Sequence, residues 1–170
     1  MRKGSFVNRF FRKSEQSKAD EARLAEFAAT IASINRSQAT IEFELDGTII
    51  TANENFLRTM GYGLAEIQGR HHSLFARADY VGSDDYIKFW RSLNDGQFMA
   101  GKFERLGKGG ASVWLQATYN PLFDAAGNVY KVIKFATEIT AAEHQRIKAE
   151  AERLARLIHA LPENGLADIA

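Results

Sequence analysis

The sequence predicts an α+β domain with a five-stranded antiparallel sheet, short helices over one face of the sheet, and flanking N- and C-terminal helices. Apolar and polar residues alternate with a period of two in two groups, at residues 40–51 and 97–137. Helical patterns lie between those groups, so helices are inserted between the second and third strands. Apolar residues recur every three or four positions at 15–37 and 140–161, which predicts the two flanking helices.

The first two strands are predicted to form a hairpin that leads directly into a helix. Residues 40–45 alternate between polar and apolar side chains, as in a strand with one buried face. Asp46 and Gly47 tolerate the positive φ of a two-residue turn, and every residue from 48 to 51 is β-branched. Asn53 is placed to cap the following helix, because its side-chain oxygen accepts a hydrogen bond from a free backbone N–H.

The insertion between the second and third strands is predicted to contain several short helices. Residues 64–67 form one helical turn that Gly69 closes, and His71 and His72 lie in the next short element. Ser83 is placed to cap a longer helix with a broad apolar face. These helices are therefore expected to cover one face of the sheet.

The last three strands show which side chains share a face. In the third strand, one face carries Met99, Gly101, Phe103 and Arg105. In the fourth strand, the apolar face carries Val113, Leu115, Ala117 and Tyr119. Residues 129–137 are apolar on both sides in places, which predicts a central position for the fifth strand.

The N-terminal helix has a single apolar stripe. Its members are spaced by three and four residues, and they are Leu24, Phe27, Ile31 and Ile34. Such a stripe fits two uses: it can cover the domain's own sheet, or it can pack against its copy in a second subunit.

The C-terminal helix has the pattern of a coiled coil. Thr140 and Glu143 have the spacing of a capping box at its start. Apolar residues then repeat by four and three, and they are Ile147, Ala151, Leu154, Ile158 and Leu161. Both stripes together form the predicted dimer seam.

These patterns divide the chain into five parts. The expected parts are a basic flexible tail at 1–14, an amphipathic helix at 15–38, the central domain at 39–140, a coiled-coil signalling helix at 141–161, and the start of a following region at 162–170.

Composition excludes several classes of function. Hydrophobic residues are 45% and charged residues 25% of the chain, as in a globular domain with its own core. A net charge of +1 argues against a nucleic-acid binder, which needs a broad cationic face. The absence of cysteine excludes disulfides and thiolate metal sites. No apolar run has the length of a membrane span, so we expect a cytoplasmic protein, and no nucleophile accompanies a base and an orienting group, so we expect no catalysis.

Two segments resemble a known family. They are NENFLRTMGYGLAEIQGRHHSLF at residues 53–75 and the run from residue 87 to the Glu-Ile-Thr at 138–140. Over about residues 34–140, the chain is similar to the PAS sensor domains of soluble, methyl-accepting bacterial chemotaxis receptors. The resemblance implies the PAS fold, a homodimer, and contact with a chemotaxis coupling protein and a histidine kinase through downstream domains. It also implies a pocket, which in this family holds haem, a flavin, a small metabolite or nothing.

The resemblance makes His71 and His72 candidate ligands for haem iron. In the haem-binding branch of the family, a histidine on the helices flanking the pocket ligates the metal. Adjacent helical residues point about 100° apart, so only one ring is expected inside, while the other faces solvent or caps a backbone group. The alternative is that both histidines make structural hydrogen bonds.

The remaining candidate pocket residues come from the resemblance and from the strand faces. They are Asn55, Met60, Leu74, Trp90, Phe103, Arg105, Leu115, Ala117 and Tyr119. Arg105 is a candidate partner for an acidic ligand group or a haem propionate, or for an ion pair at the domain edge.

FAD is the alternative cofactor. The chain lacks the cysteine used by the light-sensing relatives, so that photochemistry is excluded. Asn53, Asn55 and Gln116 are the candidate partners for the edges of a flavin ring. Two further functions stay open: a cofactor-free sensor of a small molecule or gas, and a purely structural dimerisation module whose interior its own side chains fill.

Overall fold

The structure is a computed structural model that describes the backbone of residues 4–159 and the side chains of residues 15–159. The strands are β1 (Ala39–Phe43), β2 (Ile49–Ala52), β3 (Met99–Leu106), β4 (Ser112–Phe123) and β5 (Val129–Glu138). The helices are α1 (Gly4–Ser37), α2 (Glu54–Met60), α3 (Leu64–Ile67), α4 (Ala78–Val81), α5 (Asp84–Asn94) and α6 (Thr140–His159). Short 3-10 turns occupy His72–Phe75 and Lys108–Gly110.

The five strands form one antiparallel sheet in the order β2-β1-β5-β4-β3. The prediction that the last strand is central is therefore confirmed. Ile41 of β1 lies opposite Lys134 of β5, and Ala117 of β4 lies opposite Ala136 of β5. Strand β5 thus brings the hairpin at the start of the domain against the strands at its end.

The core lies between one face of the sheet and the helices inserted after β2. The face predicted for β4 is the buried one, and Arg105 of β3 is also buried. Phe43, Phe56 and Phe89 fill the space between sheet and helices.

The two helix caps that the sequence predicts are confirmed. Asn53 Oδ1 accepts a hydrogen bond from the Phe56 backbone N–H at 3.0 Å. Ser83 Oγ accepts one from the Tyr86 backbone N–H at 3.3 Å. Both caps are local interactions, which explains why sequence spacing alone located them.

Helix α1 leaves the domain. It begins at Gly4, inside the segment predicted to be a flexible tail. Leu24, Phe27 and Ile31 are each more than half exposed, whereas Ile34 is half-buried beside the sheet. In the single chain, therefore, most of this stripe does not cover the domain's own sheet.

Candidate functional site

A polar cluster is enclosed in the aromatic core on the inner face of the sheet. Its members are His72, Arg105, Tyr119 and Lys134, and we call them the interior cluster. The 3-10 turn supplies the histidine, and β3, β4 and β5 supply the other three side chains. Strand β4, which carries Tyr119, lies between β5 and β3 in the sheet, so Lys134 and Arg105 lie on either side of Tyr119.

The His72 ring lies fully inside the protein, and both of its nitrogens have partners. Nδ1 is 3.0 Å from the Tyr86 hydroxyl, and Nε2 is 3.2 Å from the Tyr119 hydroxyl. The rings of Phe43 and Trp90 both meet the imidazole edge to face, with centroids at 5.4 Å.

The neighbouring His71 has a structural role. Its Nδ1 accepts a hydrogen bond from the Ser73 backbone N–H at 3.1 Å, which caps the 3-10 turn. Its Nε2 therefore carries the proton and donates to the Asp46 carbonyl oxygen at 2.8 Å. His72 thus lies in the interior and His71 caps a turn, so both histidines make structural hydrogen bonds, which is the alternative to iron ligation.

The residues present do not fit a haem. Axial ligation needs a ring nitrogen with a free lone pair facing open space. Each nitrogen of His71 and His72 already has a hydrogen-bond partner. The His72 ring is also surrounded by other rings with centroids at 5.4–6.4 Å, which leaves no room for a macrocycle against it. The structure therefore does not support either histidine as an iron ligand.

The three amides proposed as flavin partners lie outside the interior. Asn53 and Asn55 donate to the Gln38 carbonyl oxygen and hold the end of α1 against the domain. Gln116 is exposed on the outer face of β4. The inner faces of β3, β4 and β5 carry no amide side chain, so the FAD alternative lacks its expected ring partners.

Arg105 is buried, with 4% of its surface exposed. One terminal nitrogen donates to the Glu104 carbonyl oxygen at 2.8 Å, and the other donates to the Tyr119 hydroxyl at 3.3 Å. Its Cζ lies 4.9 Å from the centre of the Phe103 ring. Its Nε has no hydrogen-bond partner among the described residues.

Lys134 is the second buried cation, with 2% of its surface exposed. Its Nζ lies 4.7 Å from the centre of the Tyr119 ring and 5.9 Å from that of Phe56. Neither Lys134 nor Arg105 forms an ion pair with any residue that the structure describes. The interior therefore holds two cationic side chains, and no carboxylate of residues 15–159 forms an ion pair with either of them.

Burial and the neighbouring charges shift the pKa values of His72, Lys134 and Tyr119. Burial, and then the positive charges of Arg105 and Lys134, hold the pKa of His72 well below 6.5. Burial also lowers the pKa of Lys134 from 10.5. Burial alone would raise the pKa of Tyr119, but the two cations outweigh it and lower that pKa from 10.0. Each shift disfavours a further positive charge or favours a negative one.

The stability of the domain should fall as the pH is lowered from about 7 to 5. His72 is neutral in the folded state, whereas in the unfolded chain it gains a proton below its ordinary pKa of 6.5. The unfolded state then binds more protons, so the free energy of unfolding drops by up to about 1.4 kcal/mol for each pH unit. Urea denaturation across this range measures the slope.

Two histidine variants isolate that effect. His72→Gln should flatten the slope, and His144→Gln, which changes an exposed histidine, should leave it as in the wild type. Equal slopes in all three proteins would contradict the assignment.

The other predicted pocket residues are divided between the core and its margin. Met60, Trp90, Leu115 and Ala117 are buried in the core, and Leu74 and Phe103 pack against it. Asn55 lies outside, as described above. The sequence interpretation missed Lys134, although its alternation with Val132 and Ala136 places it on the apolar face of β5.

The end of β5 is joined tightly to the start of α6. The Ile139 backbone N–H donates to the Trp114 carbonyl oxygen at 2.8 Å, and the Trp114 N–H donates to Thr140 Oγ1 at 3.1 Å. Glu143 is buried and accepts hydrogen bonds from Lys102 of β3 at 2.9 Å and from Arg146 at 2.8 Å. These two cations, Arg146 first, hold the pKa of Glu143 below 4.5.

The predicted capping box at this junction is wrong. Its glutamate does not reach back to the backbone, because the tertiary structure brings Lys102 to it from a distant strand. The junction is therefore held by contacts between α6 and the sheet.

The structure offers no sign of a metal centre or a membrane span in its described part. Across residues 15–159, no three His, Asp or Glu side chains come together as metal ligands. None of the described helices combines the length and the apolar character needed to cross a membrane.

The chain is similar to known proteins in sequence and in fold. The family described as "PAS fold" matches residues 49–136. The Biofilm dispersion protein BdlA of Pseudomonas aeruginosa is 43% identical over 127 residues, which are 75% of this chain and 30% of that protein. The chain thus spans less than a third of the length of this relative.

Solved structures agree with this fold. An RNA-binding light-oxygen-voltage receptor matches with a TM-score of 0.62 and 23% identity, over 81% of this chain and 38% of the receptor. A PAS domain from Colwellia psychrerythraea matches with a TM-score of 0.59 and 16% identity, over 68% of this chain and 98% of that domain. At these identities the likeness concerns the fold alone. The sheet order, the helices inserted after β2 and the family match over half of the sequence together establish that this chain belongs to the PAS family.

Proposed function

We propose that this PAS domain is the sensory input domain of a bacterial chemotaxis signal transducer. It binds a small molecule between the sheet and the inserted helices, and α6 relays whether that molecule is bound. The observation that carries this proposal is the continuity of β5. The strand places Lys134 in the interior cluster, and its end is bonded to β4 where α6 begins. A change around Lys134 therefore has a short, hydrogen-bonded path to the helix.

The proposed relay acts by shifting the direction of α6. The first turn of the helix is held by Thr140, bonded to β4, and by Glu143, bonded to β3. Small displacements of these strands would change both contacts together, and a helix amplifies a tilt at its base into a larger movement at its far end. Such a junction suits a population shift between two orientations.

We also propose that the domain works as a homodimer. The seam residues Ile147, Leu154 and Ile158 of α6 are large, apolar and exposed in the single chain, and so is most of the α1 stripe. A second copy of the chain would bury the apolar stripes of α1 and α6 by packing helix against helix, as in a coiled coil. Contact with a coupling protein and a histidine kinase would then come through other domains of the full transducer, as the resemblance implies.

One rival proposal is a purely structural dimerisation module. The close packing of rings around His72 favours it, since side chains of the domain fill that part of the interior. The two buried cations without a counter-charge favour the sensor, because a core built only for stability gains nothing from them.

Electron spin resonance distance measurements test the relay directly. The chain has no cysteine, so Lys88→Cys on α5 and Ala155→Cys on α6 give one labelled pair. Labelled protein mixed with excess unlabelled protein reports the distance within one chain. We expect Lys134→Met, which removes one of the two interior cations, to shift or broaden the distance distribution between the two labels.

The matched control for this experiment is Tyr130→Phe. Tyr130 lies on the same strand but is exposed on it, so the distribution should stay as in the parent protein. Identical distributions for Lys134→Met, Tyr130→Phe and the parent would contradict the relay and support the structural module.

A further inference from the structure

The interior of this domain has an excess of positive charge and of hydrogen-bond donors. Transfer of a charged group from water to a protein interior is costly unless an opposite charge or full hydrogen bonding compensates it. Glu143, the carboxylate that is buried in the described part, is already bonded to Lys102 and Arg146. The charges of Arg105 and Lys134 are therefore not balanced by the protein around them.

The buried polar atoms that lack a hydrogen-bond partner are also donors. Among the described residues, two buried side-chain atoms lack a hydrogen-bond partner, Arg105 Nε and Trp90 Nε1. Both are N–H groups, which donate and cannot accept. The partner missing at Arg105 Nε is therefore an acceptor, and an acceptor with negative charge would also offset the two cations.

A surface groove at the edge strand β3 includes Arg105 of the interior cluster in its lining. It has a volume of about 310 Å³, and it is lined by Arg77, Tyr80, Lys102, Phe103, Glu104 and Arg105. Tyr80 and Phe103 supply apolar surface, while Arg105 is the buried cation of its lining. Arg77 is bound to Asp79 at 3.2 Å, and Lys102 to Glu143 at 2.9 Å. Arg105 is thus the cation of this groove that has no acidic partner among the described residues.

We infer that the domain binds a small organic carboxylate, which enters by this groove and places its anionic group against Arg105, with Lys134 as the second cation behind Tyr119. Arginine binds carboxylates through two parallel N–H groups, and Arg105 has Nε free for the first of them. The Tyr119 hydroxyl links the site to His72 and, through its own strand, to the α6 junction. This inference rests on the proposed sensory function and specifies its ligand class.

Thermal melting with matched pairs of anion and neutral analogue tests the inference. The probes are acetate, succinate, citrate and benzoate, each compared with its amide at constant ionic strength. We expect at least one carboxylate to raise the melting temperature of the wild type in a saturable way, and its amide to have no effect.

Variants locate the binding site. Arg105→Met should weaken binding of the effective carboxylate by about tenfold or more, since a hydrogen bond to a charged group contributes about 1.5–3 kcal/mol. Lys134→Met should weaken it less, because Lys134 lies behind Tyr119 and acts through its charge alone. Arg77→Met removes an exposed arginine of the same groove that is already paired, so it should keep wild-type affinity.

A measurement on the wild type avoids dependence on folding of the variants. In 15N nuclear magnetic resonance spectra, the Arg105 Nε–H signal should shift on titration with the effective carboxylate, and the Arg77 signal should stay in place. Failure of all four carboxylates to stabilise the wild type would overturn the inference. So would equal loss of affinity in Arg77→Met and Arg105→Met, or an Arg105 signal that does not move at saturation. The relay measured by the α5–α6 distance uses no ligand, so it can succeed where the carboxylate inference fails.

Discussion

Replacing Phe43 with alanine should lower the free energy of unfolding by about 3–5 kcal/mol, the usual range for deletion of a buried aromatic ring. Phe43 has no exposed surface. It meets His72 and Trp90 edge to face and lies nearly parallel to the Tyr119 ring at 6.4 Å. Its deletion would therefore leave a cavity at the centre of the ring system that supports the interior cluster.

Urea denaturation measures this loss, with Phe98→Ala as the matched control. Phe98 is the same residue type, but 68% of its surface is exposed. Its replacement should change the free energy of unfolding by about 0.5 kcal/mol or less. Similar losses in the two variants would show that Phe43 is not part of a tightly packed core.

Replacing Leu154 and Ile158 together with aspartate should weaken the proposed dimer without unfolding the domain. The two side chains are 48% and 66% exposed in the single chain, so they make few contacts that the fold needs. Burial of one such side chain in a seam contributes about 1.5–3 kcal/mol. Because about 1.4 kcal/mol corresponds to a factor of ten, the dimer dissociation constant should rise by about a hundredfold or more.

The opposite side of α6 offers a control with the same chemistry. Gln145→Asp together with Ala149→Asp adds two aspartates with the same spacing, about half a turn away from the seam. Sedimentation equilibrium should give this control the wild-type association constant. An unchanged dimer in the seam variant, or an equal loss in both variants, would contradict a seam along Leu154 and Ile158.

The parts of the fold that were predictable from the sequence depend on local rules. Alternation along β3 and β4 located their buried faces, because neighbouring side chains of a strand point to opposite sides. Asn53 and Ser83 were found as caps because a cap bonds to backbone only two or three residues away. The helical geometry assumed for His71 and His72 does not apply, because His71 is an extended residue that caps the turn beginning at His72.

The candidate site could not be assembled in this way, because its contacts join residues far apart in the chain. His72 bonds to Tyr119, and Arg105 bonds to the same hydroxyl from another strand. The haem hypothesis assumed a free imidazole nitrogen, and the tyrosine partners that occupy both nitrogens come from α5 and β4. Sequence spacing carries no information about such partners.

The sequence alone determined the α+β class, the presence of the hairpin, the buried faces of β3 and β4, the two helix caps and the family of this protein, since each follows from short periodicities or a motif. The predicted two-residue turn of the hairpin is wrong, because the Glu44 N–H bonds to the Thr48 carbonyl oxygen around a longer loop in which only Gly47 has a positive φ.

The tertiary structure alone decided that Lys134 is buried opposite Ile41, and that Glu143 bonds to the side chains of Lys102 and Arg146 rather than to the backbone at the start of its helix. It also left two cations in one core without an ion pair to any residue in the described part of the chain. Whether a buried charge meets an opposite charge depends on which strands become neighbours. The order of the strands is fixed only when the complete sheet forms and packs against its helices.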